Sequence, residues 1–132
     1  MKAVIDSSVL VAALIDTGPN GAWAEKIIVG GSLHAPELAP VEATNVFRRL
    51  ERAKLITTAE ANAAQDDLMQ LDIDLFSFRP FADRIWELRH NITSYDAWYV
   101  AIAEALEIPL ATMDEPLSKS IGVRCEFLTP GR

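Results

Sequence analysis

The chain has 132 residues, half of them hydrophobic, enough for one compact domain with a real core, and residues 1–132 read as a single domain. Its net charge of −7, from 12 basic and 19 acidic residues, speaks against an ordinary nucleic-acid binder, which carries a basic footprint. That exclusion fails if several of the acids are metal ligands. A single cysteine, Cys125, excludes an internal disulfide and fits a reducing cytoplasm. The longest early apolar run, Val9 to Ile15, is too short to span a bilayer, so no membrane association is expected. Asp6 falls where the apolar stretch of a signal peptide would begin, which argues against one.

In chain order, KAVID (2–6) reads as a short buried strand running straight into SSVLVAALI (7–15), a helix with leading serines. GPNG (18–21) reads as a turn, followed by a helix with Trp23, Ile27 and Ile28 that ends at Gly30-Gly31. SLHAP (32–36) is a second strand. APVEATNVFRRLERAKL (39–55) is amphipathic, with Ala43, Val46, Phe47 and Leu50 on one face. TTAEANAAQDDLMQL (57–71) opens with Thr57 and Glu60 at capping-box spacing. IDLFSF (73–78) reads as a strand and PFADRIWELR (80–89) as a helix with Pro80 at its start. Next comes a helix from Ser94 that is apolar from Ala97 to Leu106 except at Glu104. A strand around PLAT (109–112), a short helix through EPLSKS (115–120) and a terminal strand RCEFL (124–128) complete the chain. Cys125, inside that last strand, reads as a small buried hydrophobe rather than a nucleophile, since neither His34 nor His90 is near it in sequence. Alternating strands and helices imply parallel crossovers and a layered α/β sheet.

That topology bears on the acids. Asp6 closes the first strand, and Asp114 follows the PLAT strand. In an open parallel sheet all the carboxyl ends lie along one edge, where ligands bind. Asp96 lies in the first turn of its helix, and helices packed on such a sheet start at the same edge. Glu42 lies on the border of its helix's apolar face and can point into a cleft. Taken singly, each has a plain alternative: Asp6 and Asp114 as helix caps, Asp96 as a capping partner of Thr93, and Glu42 as a solvated acid paired with Arg49. Taken together, acids sent to one edge repel one another unless a cation is bound. Oxygen-only ligands suit Mg²⁺ or Mn²⁺ rather than zinc, and such ions can activate water against a phosphodiester. Ser8 and Thr112, each two residues from an acid, could orient carboxylates or a water.

VIDSSVLVAAL, APVEATNVFRRL and SYDAWYVAIAEALEIPLATMDEPL together resemble a PIN-domain ribonuclease of the VapC toxin type, from residue 2 to about residue 128. The resemblance implies a three-layer α/β/α fold with a mostly parallel central sheet of four to five strands. It also implies metal-dependent endonucleolytic cleavage of RNA. Asp6, Glu42, Asp96 and Asp114 match the family's acids in order, and Ser8 and Thr112 match its accompanying hydroxyls. Homodimerisation, and silencing by a VapB-like antitoxin that inserts a helix or basic side chain near the acids, are implied as well. Where some relatives carry an additional acid one turn beyond the fourth, this chain has Leu117-Ser118. Basic residues for an RNA path are Arg48, Arg49, Arg52 and Lys54 along one helix, with Lys119 near Asp114. Two competing readings remain. One is a phosphatase with Asp6 as nucleophile, for which position 8 is Ser where the haloacid-dehalogenase pattern needs Asp. The other is a non-cleaving PIN-like scaffold that binds RNA or protein.

Overall fold

The computed structural model of the protein describes residues 1–131. Its centre is β1 (Lys2–Ile5), where Ala3, Val4 and Ile5 are buried. β2 (Ser32–Pro36) and β4 (Leu110–Ala111) pair with β1 on either side; β3 (Ile73–Phe76) and β5 (Phe127–Leu128) form the edges. The sheet order is β3-β2-β1-β4-β5 and every pairing is parallel. Parallel neighbours demand crossovers, and the helices α1 (Ser7–Ile15), α2 (Pro19–Ile28), α3 (Leu38–Arg52), α4 (Thr58–Gln70), α5 (Ala82–Glu87), α6 (Ser94–Leu106) and α7 (Glu115–Ser118) supply them. α1 to α4 pack among themselves, while α5 packs on α6, which lies on β1, β2 and β4. The result is the three-layer α/β/α arrangement.

α6 is buried at Ala97, Tyr99, Val100, Ala101, Ile102 and Ala103. Its small side chains let the helix approach the sheet closely, which is why so apolar a segment is a helix at full depth rather than a strand. The capping box at Thr57 and Glu60 forms as the spacing implies, with both hydrogen bonds present.

Several boundaries differ from the expectations: the strand read over 73–78 ends at Phe76, the helix over 39–55 ends at Arg52 and the helix over 115–120 ends at Ser118. GPNG is not a free turn but the opening of α2, with Pro19 in its first turn, a position that needs no N–H donor. Gly21 is required there: a Cβ would stand 1.8 Å from the Asp16 carbonyl oxygen at the end of α1. PFADRIWELR divides into a 3₁₀ turn (Arg79–Phe81) and the short α5, with Ile85 and Leu88 buried. RCEFL pairs only at Phe127 and Leu128, so Cys125 precedes the strand and is half-buried. The burial of its thiol, followed by the charge of Glu104, pushes Cys125 up to about 11, which leaves it the inert residue its context implies.

Candidate active site

The register of the sheet builds the site. Ile5 pairs with Ala111, so the next residues on each strand, Asp6 and Thr112, face each other across the carboxyl edge. There Thr112 Oγ1 donates to Asp6 Oδ2 at 2.7 Å, and Ser8 Oγ donates to the same oxygen at 2.9 Å. Each hydroxyl also accepts a backbone bond: Met113 N–H to Ser8 Oγ at 3.2 Å and Asp114 N–H to Thr112 Oγ1 at 2.9 Å. These five residues lock the ends of β1 and β4 together. Asp6 itself occupies the N-cap position of α1 yet makes no side-chain capping bond, so the plain reading as a side-chain cap does not hold. Its carboxylate is aimed across the sheet edge instead. Burial pushes the Asp6 carboxyl up, against the hydroxyls of Thr112 and Ser8 and the Ser7 backbone, which pull it down.

Asp114 does cap a helix: its Oδ1 accepts the Leu117 N–H at 3.0 Å at the start of α7. Asp96 is the third residue of α6, and its N–H donates to the Thr93 hydroxyl at 3.2 Å. The reciprocal bond from its carboxylate to the Thr93 N–H, which would complete a capping box, is absent, unlike at Thr57. The half-buried Asp96 carboxyl is pushed up to about 6, first by burial and then by the charges of Asp6, Asp114 and Glu42. Those contributions place all four acids within electrostatic reach of one another.

Glu42 is half-buried on α3 and is held from α6 rather than by Arg49: Tyr99 OH donates to its Oε1 at 2.6 Å. Burial raises the Glu42 carboxyl, while the Tyr99 and Ser7 hydroxyls oppose the rise. Tyr99 was not among the sequence candidates, although the signal was present. A tyrosine inside an otherwise apolar helix must place its hydroxyl on a partner, and three residues after Asp96 it shares that residue's face. Arg48, Arg49, Arg52, Lys54 and Lys119 are all exposed.

These four side chains offer only oxygen donors, the kind that suits a hard cation rather than zinc. Among the described residues no three His, Cys, Asp or Glu side chains stand in ready ion-binding geometry.

A family model described as "PIN domain" matches residues 3–120. The chain belongs to the PIN-domain family. This PIN domain is 34% identical over 127 residues to Ribonuclease VapC1 of Mycobacterium tuberculosis, covering 96% of each chain. In fold it matches VapC20 of M. tuberculosis, described as a sarcin-ricin loop cleaving toxin, with a TM-score of 0.67 at 16% identity over 92% of this chain and 96% of that one. It also matches a chain of VapBC2 from Rickettsia felis, solved bound to a promoter DNA fragment, with a TM-score of 0.63 at 12% identity over 96% and 98% of the two chains. Among the described residues no helix is long and apolar enough to cross a membrane.

Proposed function

We propose that this PIN-domain protein is an endoribonuclease of the VapC toxin type, dependent on Mg²⁺ or Mn²⁺, in which Asp6, Glu42, Asp96 and Asp114 hold the cation. The observation that carries the reading is Asp96: a half-buried carboxyl at the start of α6, held up near 6 beside three further acids, with no cation among the described residues offsetting it. A fold that keeps such a cluster incurs a stability cost that a purely structural carboxylate would not. Support for the substrate comes from relatives named ribonucleases that match along nearly the whole chain.

The bound cation would polarise a phosphodiester oxygen and lower the pKa of a water molecule. The chain's own part is positioning. Thr112 and Ser8 fix one oxygen of Asp6, leaving the other for the cleft. Capping fixes Asp114 through one oxygen in the same way. Tyr99 holds Glu42 from α6. No side-chain nucleophile is needed, and Cys125 lies outside this group of residues.

The likeness to VapBC2 supports a cognate antitoxin as partner. The α3–α4 hairpin, which exposes Val41, Leu55 and Met69, is the proposed homodimer face, and the reducing cytoplasm the proposed location. The direct test is cleavage of single-stranded RNA with Mn²⁺, with chelator, and by Asp96→Asn. Loss of cleavage in the last two is the expected result. A fully active Asp96→Asn variant would overturn the assignment, and an unreactive wild-type chain would leave the scaffold reading in its place.

A further inference from the structure

The acids do not fill their cleft. From Asp96 and Asp114 it runs on as a cavity of about 590 Å³. One wall is Arg89, His90 and Asn91, in the segment that joins α5 to α6; the other is Pro116, Leu117 and Ser120 on α7 and its exit. Arg89 is exposed yet held. Its guanidinium carbon lies 4.2 Å from the centroid of the Trp86 ring, and Nη1 donates to the Trp86 carbonyl oxygen at 2.8 Å. The other donors of the fork remain available to a ligand.

We propose that this cleft is the path of single-stranded RNA away from the acids, with Arg89 gripping the backbone phosphate beside the one being cut and Trp86 positioning Arg89. The inference rests on the ribonuclease reading and names where its substrate runs. A protein of net charge −7 repels a polyanion, so each phosphate beyond the metal site needs a local cation. Of the basic side chains, Arg89 and His90 line the same cleft as Asp96 and Asp114, whereas none of the row on α3 does. Arg is suited to the task, because its planar fork matches a phosphate and stacking on Trp86 holds it in place before binding. A duplex would present phosphates over a broad face and demand a basic surface beside the acids, where among the described residues only Arg89 and His90 line the cleft; this favours a single strand.

The test is fluorescence anisotropy with a labelled mixed-sequence 20-nucleotide RNA, in the Asp96→Asn background so that the probe survives. Arg89→Ala is expected to weaken binding about tenfold and to reduce the salt slope by about 0.7, the loss of one phosphate contact. Trp86→Ala is expected to weaken binding two- to threefold alone and to add nothing once Arg89 is gone. Melting temperatures of both variants confirm that the fold persists. Unchanged affinity and slope in Arg89→Ala would overturn the proposal. So would loss of binding on removing Arg48, Arg49 and Arg52 instead, or equal affinity for a duplex of the same length. Failure of the ribonuclease reading shows separately, as absence of cleavage by the wild-type chain with Mn²⁺. Failure of the path alone leaves that cleavage intact.

Discussion

The helix α6 carries a half-buried carboxylate at each end, and the two are treated in opposite ways. At the C-terminal end Glu104 is saturated. Arg84 donates to it through Nε at 2.7 Å and Nη2 at 3.0 Å, and the Arg124 N–H adds a third bond at 2.8 Å. Burial alone would raise its carboxyl, but these bonds and the two arginine charges outweigh it and hold the group below its ordinary value. At the N-terminal end Asp96 has no such partner, faces three other acids, and is raised to about 6. One helix thus separates a carboxylate that fastens the fold from one that strains it. What distinguishes them is the company each keeps, since both are half-buried.

The contrast can be broken most forcefully at Asp96 itself. Asp96→Asn is expected to cut RNA cleavage by more than about a hundredfold, as removal of a metal-binding carboxylate does, while raising the melting temperature in chelator because one repelling charge is gone. A variant less stable than wild type in chelator would mean that Asp96 supports the fold, and the contrast would collapse. Glu104→Ala should do the reverse. It frees Arg84 and the 122–124 segment, and is expected to cost about 2 kcal/mol, below the value for a fully buried pair, since the two side chains are 21% and 12% exposed. Denaturant unfolding measures that loss, and cleavage under folded conditions should persist.

Tyr99→Phe tests how Glu42 is held. It is expected to lower cleavage about tenfold and weaken Mn²⁺ binding, read by titration of the metal, with no further effect of the substitution in a Glu42→Gln background. An equal loss in both backgrounds would make Tyr99 a packing residue only.

The two ends also predict opposite pH dependences. Asp96 ordinarily titrates at 3.8 and in the fold near 6, so between those values the folded state holds the additional proton. Metal-free stability from this group therefore falls as pH rises from about 4 to 6 and stays low above. Asp6 and Glu42, also raised, act in the same sense. Glu104 is lowered from 4.5, so its contribution is full above that pH and is lost as pH falls through the folded value. In chelator, the melting temperature of wild type should rise by a few degrees between pH 7 and pH 5, and Asp96→Asn should flatten the rise. Saturating Mn²⁺ should abolish it in wild type, since the ion competes with the proton. The smallest effect concerns Cys125, raised partly by the Glu104 charge. Its alkylation, slow in the native protein, should quicken a few-fold in Glu104→Gln.

Much of this arrangement was legible in the sequence, for an identifiable reason. The strand ends and helix starts are marked by abrupt shifts from apolar runs to acids, so Asp6, Asp96 and Asp114 could be assigned to one edge from topology alone. All five strands pair in parallel, as the βα alternation requires. What the sequence left open was the direction each side chain takes. That Asp6 would decline its cap while Asp114 accepts one depends on the Ile5–Ala111 register, which no local pattern encodes. Glu42 was placed on the correct flank but given Arg49 as partner, because helical spacing is visible and a tyrosine 57 residues away is not. The basic residues drew attention to α3 through their density. Arg89, outside that row, shares a cleft with Asp96, Asp114 and the residues of α7, a juxtaposition that only the fold creates.

The bond from Thr112 to Asp6 spans 106 residues, and it has a consequence during synthesis. At roughly 5–20 residues per second, many seconds separate the two side chains as they are made. Until β4 docks against β1, Asp6 has the Ser8 hydroxyl but neither that of Thr112 nor its neighbour Asp114, and the acids are scattered along an open chain. A nascent or truncated product ending before β4 therefore carries some of these acids without the geometry that brings them together. Strand pairing across the centre of the sheet thus acts as an interlock: the acids come together only once nearly the whole chain has been made.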